Sequence, residues 1–278
     1  MTALSHFLMI DVMTESMAGP IRLRDWGGPG APILLLHGMA AHSHWWDDVV
    51  PFWKGAFRAV ALDFRGHGDS DRAPDGVYSA DLWIEDIETA RRALGWDKFV
   101  LCGHSMGARI ALTYAERHPD RLRGIAAVDF LPEVRADRPN RFKRAALRPQ
   151  PVYLKEDDIL SRFRLEPGGT IMPGENVRKL GREGVRREGE GWTWKFDWRC
   201  LSLPIPPVWP QLGRIRTPAL MVRGELSAII GPEDFARVTR ELAGARGVTI
   251  AGAHHHVPLD KPAELAAAVA EFAASLPA

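Results

Sequence analysis

The chain has only two cysteines, Cys102 and Cys200, in 278 residues. Two cysteines cannot build a disulfide framework, and their separation offers no zinc-binding pair. Cys102 falls inside an apolar run and reads as a small core residue. Charge of one sign is lacking too: 36 Lys and Arg against 35 Asp and Glu give a formal net charge of +1. Without a global basic field, nucleic acid is not an expected partner. No apolar run approaches the roughly 18 residues that span a bilayer, so no membrane partner is expected. The opening "MTALSHFLMIDVM" has no basic start followed by a long apolar stretch, which predicts no secretory leader. The chain also lacks a phosphate-binding loop, a G-x-G-x-x-G fingerprint and internal repeats, so no cofactor is expected. These absences predict a soluble cytoplasmic protein.

What is present is alternation. "APILLLH" (31–37), "RAVALDF" (58–64), "FVLCGH" (99–104), "GIAAVDF" (124–130), "PALMVRG" (218–224) and "GVTIAGA" (247–253) read as buried strands. They are continuously apolar, as in a parallel sheet covered on both faces. Helical patterns at about 79–94, 106–118, 232–243 and 262–275 fall between them. Strand–helix alternation predicts a doubly wound, mostly parallel α/β sheet. "HFLMIDV" and "IRLRDWG" read as an N-terminal antiparallel pair at its edge.

Residues 131–211 break the rhythm, with many prolines and charges and no clear strand. That is too long for an ordinary loop. We read it as a helical insertion, with helices near 156–164 and 175–188, lying over a core domain of 1–130 and 212–278. Its arginine-rich runs, 135–148 and 177–190, carry interspersed acids and read as a solvated face.

Gly103-His104-Ser105-Met106-Gly107 follows a strand and opens a helix. The pattern is G-x-S-x-G, and the sharp turn lifts the Ser105 hydroxyl above the sheet edge. Open α/β sheets bind ligands beyond the carboxyl ends of their strands. Gly38, Ser105, Asp129, Glu225 and His255 all fall just past such ends. "GAHHHVPLDKP" (252–262) holds three consecutive histidines. Adjacent residues of an extended segment point in opposite directions, so the triplet is a poor metal cluster and no metal is expected.

With these motifs the sequence resembles the α/β-hydrolase superfamily. "LLLHGMA" (34–40) resembles its His-Gly oxyanion turn, and "ALDFRGHGDSDR" (61–72) its Asp-x-Arg-Gly-x-Gly-x-Ser segment. "GHSMGARIAL" resembles its nucleophile elbow, and "GAHHHVPLDKPAEL" its terminal histidine segment. The resemblance implies an eight-stranded sheet with a cap inserted after the sixth strand. It implies Ser105 as nucleophile and backbone N–H groups of Met39 and Met106 as the oxyanion hole. The register against Asp260 and Pro262 puts the base at His255. Ser227 stands where the family usually carries its triad acid, and a serine cannot supply that charge. Asp129, at the sixth strand's end, is the expected acid, with Glu225 as the alternative.

Gly38, Trp45, His104 and Leu131 are candidate pocket residues on the core side. Trp192, Trp194, His256 and Val257 are the others. The tryptophans read equally as an aromatic pocket or as glue between cap and core. His42 and His44 are expected in an exposed loop. The implied function is a serine hydrolase acting on an apolar or aromatic ester-like small molecule through an acyl-enzyme. Hydrolysis of a carbon–carbon bond in ring-cleavage diketones, or of a lactone, is the alternative. A non-catalytic receptor on the same fold is a further class, disfavoured because the serine and histidine positions are both filled.

Overall fold

The computed structural model describes residues 10–14, 19–53, 55–133, 146–202 and 207–277. Eight strands form one sheet: β1 (Ile10–Thr14), β2 (Ile21–Asp25), β3 (Ala31–Leu36), β4 (Phe57–Asp63), β5 (Phe99–His104), β6 (Leu122–Val128), β9 (Ala219–Gly224) and β10 (Arg246–Ile250). Their spatial order is β1-β2-β4-β3-β5-β6-β9-β10. β1 pairs antiparallel with β2, and β2 antiparallel with β4. Every pairing from β4 to β10 is parallel. The expected edge pair is thus observed, although residues 6–9 of its first segment lie outside the described residues.

The continuous apolar strands make two cores. Successive strand residues face opposite sides. On β3, Leu34 and Leu36 enter one core while Ile33 and Leu35 enter the other. On β5, Phe99 and Leu101 join the first, and Val100 and Cys102 the second. Burying one such Leu contributes about 1.5–3 kcal/mol. Helix α1 (Ala80–Leu94) starts where the Ser79 Oγ accepts from the Leu82 N–H, and it stops at Gly95. Helix α2 (Met106–Arg117) follows β5 without a loop. After the insertion come α6 (Pro232–Glu241), the short α7 (Val257–Asp260) and α8 (Pro262–Ala274). No helix among the described residues is long and apolar enough to cross a membrane.

The segment between β6 and β9 departs from its sequence reading. Helices α3 (Glu156–Leu160) and α4 (Gly174–Glu183) are present, as is the one-turn α5 (Trp209–Leu212). Residues 185–188, expected to be helical, form β7 (Val185–Glu188), paired antiparallel with β8 (Gly191–Trp194). Gly184 ends α4, and Gly189, with φ of +57°, makes the tight turn. Ile159, Leu160, Val185 and Trp194 form a small separate core, with Tyr153, Phe163, Trp192 and Phe196 packed on it. The arginine-rich run at 177–190 is paired on its surface: Arg178 with Asp157, Arg182 with Glu156 and Arg186 with Glu188. Residues 135–145 of the other run lie outside the described residues.

Candidate active site

Ser105 sits between β5 and α2 with φ of +54° and ψ of −113°. A non-glycine residue held there stores about 1–3 kcal/mol of strain. The flanking glycines make the turn possible. A Cβ on Gly103 would lie 2.3 Å from the Gly107 carbonyl oxygen, and one on Gly107 would lie 2.6 Å from that of Leu36. The helix therefore presses onto the sheet as no larger residue would allow.

His255 bridges two side chains. Its Nε2 lies 3.1 Å from Ser105 Oγ, and its Nδ1 lies 2.8 Å from Asp129 Oδ1. A carboxylate only accepts, so Nδ1 carries the proton and Nε2 faces the serine hydroxyl with its lone pair. Asp129 is fully buried and takes two further hydrogen bonds. The Gly224 N–H donates to Oδ2 at 2.7 Å, and the Ser227 hydroxyl donates to Oδ1 at 2.6 Å. Ser227 Oγ in turn accepts from the Ile229 N–H at 3.1 Å, which fixes its own proton on the carboxylate. Burial pushes the Asp129 carboxyl up to about 7, while the Ser227 and Gly224 donors hold it down. With three donors around it, the carboxylate is the form that fits. Burial, then the neighbouring His256, holds the His255 imidazole well below its ordinary pKa, so it rests neutral.

The other expected residues divide. Glu225 is exposed and accepts from the Gly252 N–H at 2.8 Å, while His255 Nδ1 bonds Asp129. His254 takes Asp260 instead: its N–H lies 2.8 Å and its Nδ1 3.3 Å from Oδ2. Gly38 lies against Ser105, since a Cβ there would be 3.3 Å from the serine Cβ. Met39 is half-buried on the first core, and Met106 opens α2, whose first N–H groups have no acceptor within the helix. His37 holds the Gly38 turn: its Nδ1 donates to the Gly38 carbonyl at 2.7 Å and its Nε2 accepts from the Phe64 N–H at 3.1 Å. His104 and His256 are buried beside His255. Leu131 is half-buried, and its carbonyl accepts from Arg109.

Several pocket expectations need correction. Trp192 and Trp194 share one face of β8, as alternation requires, but that face packs into the insertion's own small core. Trp45 is buried in the second core, edge-on to His42 at 4.9 Å. Val257 is fully buried in that core as well. The loop of His42 and His44 is not exposed: His42 is buried, and His44 bonds Asp47 at 2.8 Å and reaches Glu183 of α4 at 3.4 Å. The insertion also grips the histidine loop. Thr170 Oγ1 and the Ile171 N–H donate to Asp260 Oδ1 at 2.5 and 3.0 Å. A cavity of about 350 Å³ lies between Arg72, residues 146–150 and residues 197–199, and neither Ser105 nor His255 lines it.

This arrangement has relatives. Residues 31–156 match the family described as alpha/beta hydrolase fold. The crystal structure of an E-2-(acetamidomethylene)succinate hydrolase superposes with a TM-score of 0.82, covering 96% of this chain and 100% of that one at 23% identity. The chain has the α/β-hydrolase fold. An esterase of Mycobacterium tuberculosis is 28% identical over 89% of this α/β-hydrolase and 84% of its own length. A 2-(acetamidomethylene)succinate hydrolase of Mesorhizobium japonicum is 26% identical over 88% of each chain. Like these relatives, this α/β-hydrolase is a hydrolytic enzyme.

Proposed function

We propose that this α/β-hydrolase cleaves a carboxylic ester or a closely related carbonyl compound through an acyl-enzyme on Ser105. The observation that carries the reading is His255, bonded to Ser105 at 3.1 Å on one side and to Asp129 at 2.8 Å on the other. Ser105 Oγ adds to the carbonyl carbon as its proton passes to His255 Nε2. The Asp129 carboxylate stabilises the imidazolium that results. The carbonyl oxygen becomes an oxyanion facing the N–H groups of Met39 and Met106. Collapse breaks the bond to the leaving oxygen, which takes the proton from His255. Water then repeats the sequence on the acyl-enzyme and releases the acid.

The substrate is a small molecule admitted between the Gly38 turn and the residues of the insertion that cover the histidine loop. The segment between β6 and β9 acts as the cap, and its residues Pro167, Thr170 and Ile171 bond to the histidine loop. No metal or cofactor takes part in this scheme. The Mycobacterium tuberculosis relative, an esterase, supports ester chemistry.

Two measurements test the reading. A fluorophosphonate should add one adduct per chain, and intact-mass and peptide analysis should place it on Ser105. On short p-nitrophenyl esters, Ser105→Ala should lower turnover about 10³-fold or more, because nucleophile and base act as a unit. A variant retaining more than a tenth of wild-type turnover would sink the assignment. Turnover of a vinylogous diketone far above any ester would move the substrate to carbon–carbon cleavage.

A further inference from the structure

Three imidazoles stand together at this site, and the acyl-enzyme scheme uses only one. One ring nitrogen from each of His104, His255 and His256 lies within 4.8 Å of the other two. Ring centroids are 4.7, 5.0 and 5.8 Å apart, and the three residues are only 2%, 3% and 4% exposed. Each ring has one nitrogen committed to an oxygen that only accepts. His104 Nε2 donates to the His255 carbonyl at 2.9 Å, and His256 Nε2 donates to the Pro167 carbonyl at 3.1 Å. His255 Nδ1 donates to Asp129. The tautomers are thereby set, and His104 Nδ1, His256 Nδ1 and His255 Nε2 keep their lone pairs. Of these, His104 Nδ1 and His256 Nδ1 are buried with no hydrogen-bond partner. Buried polar atoms in folded proteins rarely go unpaired. An imidazole held through its second nitrogen by a carbonyl or carboxylate is the usual outer support of a metal-bound histidine.

We propose that His104, His255 and His256 form a binding site for a divalent transition-metal ion, Zn²⁺ or Cu²⁺, and that the bound ion inhibits the enzyme. Imidazole donors suit these ions, whereas Mg²⁺ and Ca²⁺ require oxygen. A tetrahedral zinc with bonds of about 2.0–2.1 Å sets its nitrogens about 3.3 Å apart, so rings whose nitrogens now lie within 4.8 Å of one another must close by up to about 1.5 Å on the ion. Three neutral imidazoles donate electron pairs and lose no proton. The Asp129 carboxylate behind His255 offsets part of the ion's charge. His255 Nε2 also faces Ser105 Oγ at 3.1 Å, so the serine oxygen is the nearest further ligand for an ion held there. The triplet in the sequence is misleading here: His254 turns away to Asp260, and its place is taken by His104, 150 positions earlier. Binding stands on the geometry alone. Inhibition rests on the proposed role of His255, because an ion on Nε2 removes the lone pair that accepts the serine proton.

Electron paramagnetic resonance of the full-length protein with one equivalent of CuCl₂ tests binding without reference to activity. The expected spectrum is one type-2 copper per chain with three coupled nitrogens. His104→Gln and His256→Gln should each remove a nitrogen and weaken binding at least about 10-fold, while His254→Gln and His44→Gln leave it unchanged. Fewer than two coupled nitrogens on the wild type overturns the site, whether or not the variants fold. So does loss of binding in His44→Gln or His254→Gln, or a dissociation constant weaker than about 1 mM. With ester turnover as a second readout, Zn²⁺ should inhibit and a chelator should restore the rate. Copper bound by three nitrogens in a protein without esterase activity would refute the proposed function and leave the site standing. Active enzyme indifferent to saturating Zn²⁺ would refute the inhibition.

Discussion

Asp129 leaves β6 with φ of +41°, a conformation few non-glycine residues hold, and it is locked there by Gly224, Ser227 and His255. Its neighbour Ser227 cannot replace an acid, yet it contributes a hydroxyl to the acid that is present. Asp129→Asn should therefore reduce turnover by several orders of magnitude, because an amide favours the wrong imidazole tautomer. Glu225→Gln, at an exposed carboxylate bonded to Gly252, should keep most of the activity. The reverse pattern in side-by-side kinetics would hand the role to Glu225. Ser227→Ala removes a donor that holds the Asp129 proton affinity down, so it should lower kcat about 10-fold with KM little changed. Ser227→Thr, which keeps the hydroxyl, should restore the rate; equal loss in both variants would mean that Ser227 only packs. Ser105 and His255 are legible in the sequence because each lies in a motif with fixed spacing. The choice between two carboxylates is only partly so: the sequence favours Asp129 over Glu225, but both follow strand ends, and burial and a hydrogen bond are what separate them. His104 is hidden, as its meeting with His256 depends on how β5 and the loop after β10 are brought together.

At the scale of elements, the junction of β5 and α2 is the part with least room. Gly107→Ala would drive a methyl group against the Leu36 carbonyl, which belongs to a central strand and cannot step aside. The helix must then lift, at a cost of about 1–3 kcal/mol, and it carries the Met106 N–H away from the serine. Thermal melting should show the destabilisation, and turnover should fall further than Tm alone explains. An unchanged melting temperature would contradict the packing described. This junction was legible because strand, glycines and helix are contiguous. The six core strands and four long helices likewise match their patterns within about three residues, since buried parallel strands and amphipathic helices carry strong periodicities. The hairpin β7–β8 escapes the same reasoning. "VRRE" has one apolar residue in four, so β7 shows no alternation, and its partner Trp192–Trp194 supplies the buried face. The tryptophans are ambiguous for a related reason: an aromatic side chain fills a small core or a pocket with the same chemistry, and only the contacts decide.

For the whole molecule, the distribution of buried histidines governs how the fold responds to acid. Burial lowers the pKa of six of them: His37, His42, His67, His104, His255 and His256. His37 is lowered to about 4 and His67 to about 3 from an ordinary 6.5. Such a group binds its proton better when unfolded. Its contribution is intact above pH 6.5 and is lost as the pH falls toward the folded value. For His37 the loss by pH 4 is about 3 kcal/mol. Burial raises three aspartates, Asp63, Asp86 and Asp129, and these act in the opposite direction, favouring the fold as they gain protons. The histidines outnumber them two to one, so Tm should fall as pH drops from 6.5 to 4. His67 gives a clean check, because its ring packs among aromatics, stacked on Phe196 and edge-on to Trp83, and its Nε2 has no partner. His67→Phe keeps that packing and deletes the proton site. The variant should match the wild type at pH 7.5 and lose less of its Tm at pH 4.5. If both proteins melt along the same curve, His67 does not titrate in this range and the acid limb belongs to other groups.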